Sequence, residues 1–224
     1  MKLLFIDTET TGLDPERHTI LQIAWCIEDL SGNIINHDDF YIRPDREDWR
    51  LADKEAISVN RLTEEKFNHL QSITKQEAYE RIRLIRNKLD DDPNQNFWIG
   101  KNPEFDLNFI GSFLGHRGRN TFPWKRAIRN SCNHRLIDIN PYIFILKHLG
   151  CVDTFDLKES AAFFGLFDER FPDKLNWHDA WTDIIVSRFI YHSFENIFRF
   201  RDLRIPKEDL VAIRNEVDKW PMLK

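Results

Sequence analysis

The chain opens on an unbroken apolar run, Leu3-Leu4-Phe5-Ile6, which ends in Asp7-Thr8-Glu9-Thr10. A short apolar run closed by polar residues reads as a strand buried on both faces. Two β-rich runs follow, Ile20 to Glu28 and Ile34 to Ile42, joined through Ser31-Gly32-Asn33, a hairpin signal. Together they predict three strands in a meander. The charged stretch Pro44 to Lys54 reads as loop. Thr74-Lys75-Gln76-Glu77 has the spacing of a capping box, and Ala78, Ile82, Ile85 and Leu89 then fall at helical intervals. Phe97 to Gly100 predicts a short strand. Asn102 stands where an N-cap would, with Pro103 opening a helix that carries Phe105, Phe109 and Phe113 and ends near Gly115. Arg135 to Asp138 predicts a further strand. Helices are expected over Pro141 to Leu149, after Asp156 as far as Gly165, over Asp179 to His192, and from Pro206 to about Trp220. The order β-β-β-α-β-α, then mostly helices, is that of an α/β domain with a mixed sheet.

Composition narrows the setting. With 224 residues the chain is one domain with additions or two small ones, and 42% hydrophobic residues with 18 Phe and 7 Trp supply an ample core. A net charge of -5 argues against a general polyanion binder, so any contact with nucleic acid must be local. Cys26, Cys132 and Cys151 form no CxxC pair, which argues against a disulfide scaffold or zinc knuckle and suits a reducing cytosol. Only four apolar residues precede Asp7, too few for a signal-peptide core. No segment approaches the roughly 20 apolar residues of a membrane span. A soluble, cytoplasmic protein with no membrane partner is expected.

The chemistry starts at Asp7 and Glu9. Side chains two apart on a strand leave it on the same side. Two carboxylates side by side at the end of a buried strand repel, and a cation between them relieves the repulsion. Asp106 stands in the first turn of a helix that directly follows a strand. His178 and Asp183 bracket the start of another helix, the acid about one turn in and the imidazole on the lead-in. Each alone has an ordinary structural reading: a solvated turn, a helix-dipole acid, a surface histidine. Asp138, at a strand end, reads as a structural acid that supports its neighbours.

Phe5-Ile6-Asp7-Thr8-Glu9-Thr10-Thr11-Gly12-Leu13 resembles the first motif of the DEDDh (DnaQ-like) 3′-5′ exonucleases of the RNase H-like superfamily. Asn102 to Asp106 resembles the second motif. His178, Ala180 and Asp183 have the spacing of the third, and the order agrees. The resemblance covers about residues 1 to 192 and includes Ile57 to Thr63, similar to the family's stretch after the third strand. It implies an RNase H-like mixed β-sheet flanked by α-helices, with residues 193 to 224 as a C-terminal helical extension, packed on the domain or used for docking. It further implies two divalent ions, Mg²⁺ or Mn²⁺, held by Asp7, Glu9, Asp106 and Asp183, with Asp7 shared between them. Four carboxylates would balance two dications. Oxygen ligands suit these ions, and His178 would serve as the general base. Thr10, Gly12 and Leu13, the last as an apolar wedge, would hold the terminal nucleotide, with Asn102 and Phe109 as further contacts.

The expected reaction is release of nucleoside 5′-monophosphates from a free 3′ end, with single-stranded DNA favoured over RNA, in proofreading or repair. The alternatives are a 3′-5′ exoribonuclease of the oligoribonuclease or RNase T kind, an inactive nucleic-acid-binding module, and a polymerase accessory subunit docked through the tail. The chain departs from the family at Lys101, where many members carry His. The acid-free stretch His116 to Arg135, with six Lys or Arg residues around Phe122 and Trp124, is either a nucleic-acid contact or a solvated loop.

Overall fold

The structure is a computed structural model and describes residues 1–117, 130–165 and 178–200. Its frame is a six-stranded sheet in the order β4-β3-β2-β1-β5-β6. Strands β1 (Lys2–Thr10), β2 (Ile20–Asp29) and β3 (Ile34–Ile42) form the expected antiparallel meander. Strand β5 (Asn96–Gly100) lies parallel to β1, and β6 (Ile137–Asp138) parallel to β5. A short β4 (Ser72–Ile73), with no apolar run to announce it, pairs parallel to the end of β3.

Alternation along β1 divides the core. Leu4 and Ile6 face α4 (Lys75–Ile85) and α5 (Pro103–Arg117), where Ile82, Trp98, Phe109 and Ile110 are buried. Leu3 and Phe5 face α6 (Asn140–His148), α7 (Leu157–Phe163) and α8 (Ala180–Phe200), packing with Ile143, Ala180, Ile184 and Ile190. A sheet covered on both faces explains why β1 and β2 read as continuous apolar runs. On β2, Glu28 is fully buried; it is paired by Arg188 Nε at 2.8 Å and by His192 Nε2 at 2.6 Å, which ties the middle of α8 to the sheet.

Three expectations need correction. The stretch Pro44 to Lys54 is not a loop. It holds α1 (Arg46–Leu51), and α2 (Lys54–Asn60) begins at its end. Asp45 and Asp48 close a capping box with Asp, not the usual Glu or Gln, at the third position, so it carries no ordinary helix-start signature. Trp49 then packs against Phe67 of α3 (Glu64–Phe67), over buried Leu21 and Leu62. Second, α5 runs past Gly115 to Arg117. Third, the helix expected to end at His192 continues to Phe200, across the boundary placed at 192/193. Phe194 is buried between Tyr142 and Phe164, so burial carries the helix on. The last helix, Pro206 to Trp220, lies outside the described residues, as does most of the basic stretch.

The capping box at Thr74 is present: Thr74 Oγ1 accepts from Glu77 N at 3.2 Å, and Glu77 Oε2 accepts from Thr74 N at 2.8 Å. Thr74→Ala should cost about 1 kcal/mol of stability, while Thr74→Ser should cost little. Urea unfolding of the two variants checks this, and equal midpoints would remove the cap from the account.

Candidate active site

The carboxyl end of β1 is where the sheet changes from antiparallel to parallel neighbours, a position at which open α/β sheets place their ligands. The β1–β2 register is regular through Glu9 and shifts only after it, so Asp7 and Glu9 do leave on one face, opposite Ala24 and Gln22. The helix layers deliver the other groups. From one side, Asp106 in the first turn of α5 is buried, 3% exposed, and its Oδ1 accepts from Thr8 Oγ1 at 2.7 Å. From the other side, α8 brings Asp183. His178 precedes α8 in the left-handed region, at φ 59°. Ligand atoms of Glu9, His178 and Asp183 lie within 4.8 Å of one another.

The electrostatics show how costly this arrangement is. Burial, then Asp106, Asp183, Glu9 and Asp179, push the Asp7 carboxyl well above the usual range. Glu9 is pushed up to about 8 by burial, then by Asp183, Asp106 and Asp179, against a hydrogen bond from Asn60. Burial raises Asp106 to about 7, against its Thr8 hydrogen bond. Burial also raises Asp183 to about 7, against the charge of Lys101. None of the four carboxylates forms a salt bridge among the described residues. Raised carboxylates without an ion pair are what a hard divalent cation would stabilise, so the donor set fits Mg²⁺ or Mn²⁺, although of the four acids only Glu9 and Asp183 lie in the close group with His178. The imidazole beside Glu9 and Asp183 adds a donor that suits borderline ions such as Zn²⁺. Burial, then Arg61 and Lys101 against Asp156, lowers His178 below its ordinary value, so the ring is neutral at pH 7 and able to accept a proton.

The loop after β1 is held from within. Thr10 Oγ1 donates to the Gly12 carbonyl at 2.7 Å, and Thr11 Oγ1 accepts from Thr19 N at 2.9 Å. A Cβ on Gly12 would stand 2.5 Å from the His18 ring, itself held by Asp14 N at 3.0 Å. Leu13 is left at the tip, 75% exposed. Asn102 has a left-handed φ of 56°, not the extended backbone of an ordinary N-cap, and its N–H donates to Asp138 Oδ1 at 3.0 Å. Phe109 lies in the core, 1% exposed, tilted against the half-buried Phe105, and so offers no open face to a substrate here.

Four site neighbours escaped the sequence reading. Asn60 Nδ2 donates to the Thr10 carbonyl at 2.9 Å, and its side chain also bonds Glu9. Gln22, Tyr41 and Asp179 form a hydrogen-bonded group beside Glu9. Gln22 was signalled as the one polar residue inside the run Ile20 to Ala24, and Asp179 as the acid directly ahead of a helix.

A mixed sheet flanked by helices, with acids converging on the end of its first strand, defines the RNase H-like nuclease fold. The exonuclease family model matches residues 4–113, just under half of the chain, and that segment carries the first two motifs. No curated protein matches the chain. Among solved structures, the zinc-bound form of the E. coli exonuclease I–single-stranded DNA complex superposes with a TM-score of 0.64 at 18% identity, over 90% of this chain and 41% of that one. Exonuclease I from Methylocaldum szegediense gives 0.62 at 22% identity, over 89% and 42%. E. coli exonuclease I in complex with a dT13 oligonucleotide gives 0.61 at 17%, over 94% and 45%. At these identities the likeness is one of fold, and the chain spans less than half the length of these structures.

A carboxylate whose folded value lies above its unfolded value penalises the fold once ionised. The penalty starts above the unfolded values of 3.8 and 4.5 and is complete above about 7 for Asp106 and Asp183 and about 8 for Glu9. Without metal, the melting temperature should therefore rise as pH falls through that window, and Asp106→Asn should melt higher than wild type above pH 8. Mn²⁺ should stabilise wild type more at pH 8 than at pH 6, and Asp106→Asn much less. Scanning calorimetry with and without Mn²⁺ checks both; a lower melting temperature for metal-free Asp106→Asn at high pH would contradict the repulsion.

Proposed function

We propose that the chain is a metal-dependent 3′-5′ exonuclease that releases nucleoside 5′-monophosphates from single-stranded DNA. The observation that carries this reading is the meeting of Glu9, His178 and Asp183 within 4.8 Å beside two further raised carboxylates, Asp7 and Asp106. Asp7, Glu9, Asp106 and Asp183 would hold the divalent ions. When bound, these supply Lewis-acid stabilisation of an anionic phosphodiester under attack.

The chain's own residues do the rest. Neutral His178 takes the proton of the attacking water and hands it to solvent, which its exposed position allows. Asp106 and Thr8 fix each other, which holds the acid from α5 against β1. Leu13, exposed at the tip of a loop held by the Thr10 and Thr11 hydrogen bonds, would serve as an apolar wedge against the terminal base. Lys101 and Arg61, whose charges reach His178, would face the phosphate backbone. A DNA substrate is supported by the DNA bound in the exonuclease I structures of like fold.

Incubation of 3′-labelled oligonucleotides with Mg²⁺ or Mn²⁺ tests the reading. Asp7→Ala and Asp183→Ala should lose activity by about 10³-fold or more, and His178→Ala by about 10² to 10⁴-fold. Activity surviving in Asp7→Ala sinks the metal site. Faster digestion of RNA than of DNA with the same sequence would move the enzyme to the exoribonucleases.

A further inference from the structure

We propose that Asp179, gripped by Gln22 and Tyr41, is a positioning residue that sets His178 and Asp183 relative to Glu9. The inference rests on the reaction proposed above and deepens it. Strand register places Glu9, Gln22 and Tyr41 in one row across β1, β2 and β3, so the three side chains leave the same face of the sheet. Asp179 sits on that row, 157 residues along the chain from Gln22. Its Oδ2 accepts from Gln22 Nε2 at 3.0 Å and from the Tyr41 hydroxyl at 3.2 Å. Its Oδ1 accepts from Thr182 N at 3.2 Å, which caps α8. Gln22 is fully buried, and its carbonyl accepts from Ala180 N at 3.2 Å. Its amide also donates to Asp39 Oδ1 at 2.9 Å, which fixes the side chain's orientation.

The first turn of α8 is thus pinned at two adjacent residues to the same row that carries Glu9. His178 lies immediately before the pin. Asp183 lies one turn after it, its N–H donating to the Asp179 carbonyl at 3.0 Å. The distance between the acid of β1 and the acid of α8 is therefore set by this grip and not by the packing of α8 alone. Both Asp179 oxygens are spent on protein donors, so it is not a fifth metal ligand. Its charge still reaches Asp7, Glu9 and Asp183 and adds to the attraction for cations.

An ordinary N-cap role makes a different prediction. Asn caps helices as well as Asp does, so Asp179→Asn would then be silent. As a positioning residue it is not silent, because an Asn that keeps the cap turns its NH2 toward the Gln22 NH2, donor against donor, and loses the acceptor for the Tyr41 hydroxyl. Asp179→Asn should lower kcat by about 10 to 100-fold, with KM for a single-stranded oligonucleotide within about 2-fold and the metal-free melting temperature close to wild type. Mn²⁺ affinity by calorimetry should fall by about 10-fold. Tyr41→Phe, which removes one hydroxyl, should lower kcat less, and its effect should largely vanish in the Asp179→Asn background. Wild-type kcat and Mn²⁺ affinity in Asp179→Asn would overturn the proposal, as would a loss of kcat that tracks a fall in melting temperature. If the wild-type chain cleaves no 3′ end, the reaction falls, while the Mn²⁺ affinity of Tyr41→Phe, which loosens the grip without removing a charge, still decides the grip: a fall supports it and a wild-type value overturns it.

Discussion

Everything at the carboxyl end of β1 is organised around a repulsion. Four carboxylates are brought together under partial or complete burial, and none of the described residues places an opposing charge in direct contact with them. Folding must therefore be driven elsewhere. The two hydrophobic layers on either side of the sheet do this, and each gives up one helix end to the site. The Glu28–Arg188–His192 group shows the same chain solving a buried charge in the opposite way, by pairing it. Among the described residues one buried acid is paired and four are not, which is the condition under which the proposed cations would stabilise the fold.

The sheet is the ruler for this arrangement. Asp7 and Glu9 are two residues apart, so their spacing follows from strand geometry and needs no support. Asp106 and Asp183 come from separate layers, and each is tied back to the β1 region by a hydrogen bond or grip. Thr8 holds Asp106 directly. Gln22 and Tyr41 hold the residue that starts the helix of Asp183. Gln22 and Thr8 are both polar residues buried in otherwise apolar strands, and in each case the buried polarity serves a helix end carrying an acid.

The parts legible in the sequence were those with a strong period. The apolar runs gave the meander, and the capping box with its helical spacing gave α4. The three acid and imidazole motifs brought the four acids and His178 together, and the fold places them at one strand end. What escaped has a physical reason in each case. The helix α1 is short and capped by Asp-to-Asp hydrogen bonds within a charged stretch, so it has no apolar stripe to reveal it. The continuation of α8 depends on Phe194 meeting Tyr142 and Phe164, a tertiary contact with no local signal. The burial of Phe109 also follows from tertiary packing, since the same helical spacing serves a core stripe or a substrate face. Asn60 and Gln22 act through single hydrogen bonds to partners far along the chain, which no window of sequence contains.

The placement of His178 follows from the division of labour this creates. A metal ligand must be rigid, since cations of this class tolerate little misplacement. A general base must reach a proton and then release it, which asks for exposure and some freedom. His178 and Asp183 stand on either side of the residue that is gripped. The acid follows the grip, within the hydrogen-bonded first turn of α8. The imidazole precedes it, exposed, on a backbone with positive φ outside the helix. Burial lowers its proton affinity below the ordinary value, and the Asp156 carboxylate opposes that lowering. On the proposed reading, one short segment would hold a metal-binding acid and a general base, with Asp179 between them.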